Sequence, residues 1–219
     1  IGNAQTIIVD HPANPGADLA FASTGIAGKG AKSATGTLAK SGQVAGRNAQ
    51  AGHRSPHLNR FLCQHGSLLI VGNTGIGKSS LTTQMMMKWA LGEGCFGIAP
   101  TRPLKSLMIQ GENDEQDLSE MRDGVSRSLE LSPEQTASIN ANVLICHENG
   151  TVAESFVEEI VEPLVQRHQP DLVWIDPVFQ YLGGDGNQQD IVGRFLRQNI
   201  GPLLKRHTCA VVLVHHTAK

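Results

Sequence analysis

An octapeptide, GNTGIGKS at Gly72 to Ser79, constrains this chain more than any other feature. It fits the pattern G-x-x-x-x-G-K-[ST]. It stands directly after the apolar run SLLIVG at Ser67 to Gly72 and before a stretch of helical composition. A buried strand ending in glycine, a glycine-rich loop and a helix form the context in which this pattern has a mechanism. The glycines let backbone N–H groups turn inward around an anion, and the helix N-terminus adds a partial positive charge. The loop Gly72, Asn73, Thr74, Gly75, Ile76 and Gly77, with Lys78, Ser79 and Ser80 opening the helix, is therefore expected to cradle nucleotide phosphates. Lys78 would bring a point charge to the β- and γ-phosphates and Ser79 a hydroxyl to magnesium, so ATP and Mg2+ are the expected cofactors.

The same strand-then-helix unit repeats along the chain. After a helix from about Gly77 to Leu91 come a strand at Lys105 to Gln110, a helix from about Glu115 to Leu129 and a strand at Val143 to Cys146. Ser132, Pro133 and Gln135 read as a further helix start, with a capping serine and a glutamine three residues on. Thr151 and Glu154 read as a capping box opening a helix toward His168, kinked at Pro163, before a buried strand at Leu172 to Ile175. A last helix, Gln188 to Arg206 with an interruption near Pro202, precedes the β-branched run AVVLV at Ala210 to Val214. Strands alternating with helices need right-handed crossovers, so the expected fold class is α/β, a parallel sheet covered by helices on both faces.

Composition supports one such domain. The chain has 219 residues, 40% of them hydrophobic and 17% charged, which is globular, and its 4% of aromatics argues against a surface of base-stacking rings. Eighteen basic against twenty acidic residues give a formal charge of −2, without the positive footprint of a nucleic-acid coat. Residues 1–55 are small and glycine-rich with no sustained period, and are expected to be a flexible linker or tail, with the folded core at 56–219. Cys63, Cys95, Cys146 and Cys209 stand far apart with no C-x-x-C pair, as suits buried free thiols in a reducing cytosol. No run approaches the roughly 18 apolar residues of a membrane span, and a cytoplasmic location without membrane contact is expected. The start at Ile1, without methionine, and the stop at Lys219 just after a strand suggest a fragment, truncated at its C-terminal end.

Three more positions carry chemistry. DLVWIDP places Asp176 at the C-terminal end of a buried strand, where parallel sheets put their ligand crevice, and an acid there can hold magnesium. In SLMIQGEND, Glu112 stands just past the end of the second strand, on the same edge, where a base could orient water in line with the γ-phosphate. The last strand ends VVLVHHTAK, so His215 and His216 reach that edge pointing opposite ways, one expected to face the nucleotide.

Taken in order, GNTGIGKS, QGEN, DLVWIDP and VLVHHTAK resemble the RecA-like P-loop NTPases of the AAA type, most closely the RepA-type hexameric replicative helicases of plasmids and phages, over roughly Pro56 to Lys219. The resemblance implies Lys78 and Ser79 as phosphate and magnesium ligands, Asp176 as the Walker B acid and Glu112 as the catalytic glutamate. It makes His216 the polar sensor, with His215 beside it. It implies an ATP hydrolase acting as a DNA helicase in replication, a homo-oligomer in a hexameric ring, and single-stranded DNA as partner. The loop YLGGDGNQQD at Tyr181 to Asp190 lies where such proteins carry a DNA-facing loop, but is neutral to acidic here. The family's arginine finger lies beyond the sensor strand, and none is assigned among Arg194, Arg197, Lys205 and Arg206. Other readings are a recombination or regulatory ATPase of the RecA and KaiC kind, a nucleotide-binding module without turnover, and a small-molecule kinase. No acceptor pocket or basic lid of the last is visible.

Overall fold

Four of the five strands of the central sheet send alternate residues into two separate cores, and that period of two fixes the layering. The computed structural model describes residues 56–58, 61–186 and 188–217. The expected linker at 1–55 lies outside the described residues. A small antiparallel hairpin, β1 (Pro56–Leu58) with β2 (Leu62–Cys63), stands apart from the main sheet. The main sheet has five parallel strands, β3 (Ser67–Asn73), β4 (Ser106–Gln110), β5 (Val143–His147), β6 (Leu172–Asp176) and β7 (Ala210–Thr217), in the order β3-β7-β6-β4-β5.

One face of the sheet offers Met108, Leu172, Trp174, Ala210 and Val212 to helix α1 (Lys78–Ala90) and to Leu118 of α2 (Glu115–Ser128). Trp89 of α1 and Trp174 lie with ring centroids 5.6 Å apart. The other face offers Leu107, Ile109, Val173, Ile175, Val211 and Leu213 to the helical segments 153–168 and 189–206. Side chains such as Trp174, Leu107 and Ile109, at 0% exposure, each gain about 1.5–3 kcal/mol from leaving water. The expected α/β class, a parallel sheet with helices on both faces, is the one the chain adopts.

Three local features depart from the sequence reading. The strand before the octapeptide reads as buried, but β3 is an edge strand: Leu68 and Ile70 pack against the α1 side, while Leu69 and Val71 remain 56% and 49% exposed. Its apolar composition serves one face only. The capping box of Thr151 and Glu154 does not form: α4 (Ala153–Ser155) has Val152 at its N-cap without a side-chain bond. The N–H and hydroxyl of Thr151 donate instead to buried Glu148, whose Oε1 also accepts the Gly150 N–H at 2.6 Å. A buried carboxylate with three donors outcompetes a helix cap. Both long helices widen before their proline: π-helical turns at Phe156–Val161 and Phe195–Ile200 precede α5 (Glu162–His168) and α7 (Gly201–Arg206), the second following α6 (Gln189–Arg194). Pro163 and Pro202 have no N–H, and their rings crowd the carbonyl four residues earlier; the wider turn accommodates both defects. The Ser132 box does form on α3 (Pro133–Asn142), with Gln135 N–H on Ser132 Oγ at 3.2 Å and Ser132 N–H on Gln135 Oε1 at 2.9 Å.

Candidate nucleotide site

Because β3, β4, β6 and β7 are parallel, the segments that follow them emerge on one edge, and the candidate phosphate, magnesium and catalytic residues stand there. The loop between β3 and α1 turns at Gly75 and Gly77, with φ of 79° and 88°, a conformation that a side chain disfavours. Gly77 is the left-handed residue immediately before α1. Residues 73–77 are exposed, so the loop offers its backbone to solvent as an anion cradle should.

Lys78, the first residue of α1, is 6% exposed, and its Nζ donates to the carbonyls of Gly72 at 2.8 Å and Asn73 at 2.7 Å. Burial lowers its pKa, and the charges of Asp176 and Glu112 pull it back up. Asp176 ends β6 at 1% exposure and is hydrogen-bonded by the side chains of Ser79 and Gln110. Its pKa is raised by burial, against which those hydrogen bonds and His216 act.

His215 and His216 lie inside β7, opposite Val71 and Gly72 of β3, and face opposite ways. His216 Nδ1 is 3.3 Å from the Thr74 hydroxyl, and its Nε2 is 3.4 Å from Glu112 Oε2. That Nε2 is buried without an aligned hydrogen-bond partner. Phe179, on the 3₁₀ turn Val178–Tyr181, meets the imidazole edge-on at 5.7 Å. His215 is half-buried, and its pKa is lowered by burial first and then by His216 and Lys78.

The donor set fits magnesium bound together with a nucleotide. Among the described residues no group of three or more His, Cys, Asp or Glu side chains could cage a metal alone. A hydroxyl and a carboxylate already in contact, Ser79 and Asp176, leave the remaining positions to phosphate and water, as a hard cation of this size prefers. The groove lined by Lys105, Asn140, Asn142 and His168 shares no residue with this set.

Two neighbours escaped the sequence reading. Phe179 lies on a loop whose path cannot be read locally. Gln110 left a visible trace as the polar end of the otherwise apolar strand SLMIQ.

A family profile described as an AAA domain matches residues 37–219. No protein of curated function matches the sequence. Among solved structures the chain is similar to a KaiC-like protein from the hyperthermophilic archaeon Pyrococcus horikoshii, at 15% identity and a TM-score of 0.48, covering 73% of this chain. The chain spans 65% of that protein's length. Among the described residues no helix is long and apolar enough to cross a membrane. With the family match spanning most of its length, the chain belongs to the AAA domain family.

Proposed function

We propose that this domain hydrolyses ATP with Mg2+, and that a homo-oligomeric ring of it, a hexamer as in the RepA-type helicases, uses the hydrolysis to move along single-stranded DNA in replication. The observation that carries the hydrolytic reading is the reach of His216 to Thr74 of the phosphate loop at 3.3 Å and to Glu112 at 3.4 Å. In this reading the loop from Gly72 to Gly77 and Ser80 surrounds the phosphates, and Lys78 holds the charge of the terminal ones. Ser79 and Asp176 would hold Mg2+, which when bound neutralises charge on the phosphate oxygens. Glu112, with a side chain 43% exposed, has access to solvent and takes the proton of the attacking water. His216 senses the terminal phosphate beside Thr74, with His215 next to it. Residues 56–219 form the ATPase core, joined to a linker at 1–55, in a cytoplasmic protein.

The motor reading is supported by the resemblance of the four motifs. A second reading, a recombination or regulatory ATPase in which ATP holds an assembly together, is favoured by the loop Tyr181 to Asp190, which carries Asp185 and Asp190 and no lysine or arginine. Such a loop repels a phosphate backbone. ATP hydrolysis by the full-length protein, with and without single-stranded DNA, together with duplex unwinding, separates the two. The motor predicts hydrolysis stimulated by the DNA, and ATP-dependent unwinding. Hydrolysis unaffected by DNA, with no unwinding, contradicts the motor and leaves the regulatory ATPase.

A further inference from the structure

We propose that Gln110 is a positioning residue of this site, its single side-chain amide fixing the separation between the Asp176 carboxylate and the root of Glu112. The inference rests on the hydrolytic reading above. Gln110 ends β4 at 1% exposure, in register with Asp176 on β6 and His147 on β5. Its Nε2 donates to Asp176 Oδ2 at 3.4 Å, and its Oε1 accepts the backbone N–H of Glu112 at 3.1 Å. Only one orientation of the amide satisfies both, because the N–H of Glu112 can only donate and an ionised Asp176 can only accept. A carboxylate at this position would lose the donor, and an apolar side chain would lose both contacts.

Around this amide the backbone is held from three sides. Gly111 N–H donates to the Asp176 carbonyl at 3.0 Å, Glu148 N–H donates to the Gln110 carbonyl at 2.9 Å, and Gln180 Nε2 donates to the Gly111 carbonyl at 3.3 Å. A side chain at Gly111 would collide with the Gln180 amide and, at 2.7 Å, with the Tyr181 hydroxyl, so the turn between Gln110 and Glu112 packs closely against these two side chains as a glycine. The Glu112 carboxylate can swing in solvent, but its starting point is set relative to the acid expected to hold Mg2+. A displacement of about 1 Å between reacting groups costs on the order of 100-fold in rate, so a splint between these two carries a kinetic consequence.

The test uses the full-length protein with Gln110→Met, which keeps volume and removes both hydrogen bonds. A fluorescent ATP analogue is titrated with and without Mg2+, and ATP hydrolysis is measured alongside. The expected result is analogue binding without Mg2+ within about two-fold of wild type, a Mg2+ requirement raised about 10-fold, and a kcat lowered about 10- to 100-fold with KM little changed. A folded Gln110→Met protein whose Mg2+ requirement and kcat stay within two-fold of wild type overturns the proposal. Where Gln110→Met lacks a cooperative thermal transition, Gln110→Glu is read in the same way; loss of folding in both makes Gln110 a structural residue and also overturns it. Glu112→Gln in parallel keeps the two readings apart. If that variant hydrolyses ATP as wild type does, or if wild type does not turn over, the hydrolytic reading fails and the Mg2+ titration alone decides on Gln110.

Discussion

At Cys146 and Cys209 burial pushes the thiol up to about 11, and Cys95 is raised for the same reason. The thiolate is the reactive form, so these three groups are inert at neutral pH while the fold holds. Cys63, half-buried in β2, has the access they lack. Ellman's reagent at pH 8 should therefore modify about one thiol per native chain quickly and all four after denaturation. Rapid modification of two or more native thiols would contradict the burial of Cys95, Cys146 and Cys209. The candidate site residues were legible at this scale because each announces itself within a short segment: a lysine in a glycine loop, or an acid or histidine at or just past the end of an apolar run. Gln110 was not, since its partners Asp176 and Glu112 meet it only after β4 and β6 pair.

Among the elements, α5 and α7 show how charge placement supports helices that proline has interrupted. Arg206 ends α7, the end its helix dipole favours, and Glu162 lies where the π-helical turn passes into α5. Arg206 holds Glu162 through two 2.7 Å hydrogen bonds, and His207 Nε2 lies 3.0 Å from Glu162 Oε1. The Arg206 guanidinium, helped by His207 and opposed by burial, keeps the Glu162 pKa below its usual 4.5. A carboxylate lowered in the folded state stabilises fully above its unfolded pKa, and that contribution is lost as pH falls through the lower, folded value. Glu162→Gln should therefore lower the urea midpoint at pH 7 and flatten its decline below about pH 4.5. An acid limb as steep as that of wild type would show that the pair contributes nothing to it. The existence of these helices was legible, although the cap that marked the start of the first does not form, and so was the Ser132 cap, whose partner is only three residues away. The π-helical turns were not, because proline signals an interruption without saying how the preceding turn absorbs it. The Thr151 cap failed because Glu148, from the preceding loop, takes the Thr151 N–H that Glu154 would accept in the box.

For the molecule as a whole, the α/β class and the common edge of the site follow from alternation, since parallel strands must end together. The strand order β3-β7-β6-β4-β5 does not follow from it. Order is decided by which apolar faces meet across crossovers, and no local pattern records that; the edge position of β3, with Leu69 and Val71 exposed, is its most visible product. Convergence of the candidate site groups on one edge is what makes the proposed hydrolysis of ATP possible. That proposal is tested most directly by steady-state ATP hydrolysis in Mg2+ by the full-length protein, its Glu112→Gln variant and its Lys78→Ala variant, with nucleotide binding measured on each. The account predicts that Glu112→Gln binds ATP as wild type does and loses turnover by about 100-fold or more, while Lys78→Ala loses binding and turnover together. Wild-type turnover in Glu112→Gln, or binding without turnover in the unmodified protein, would contradict it.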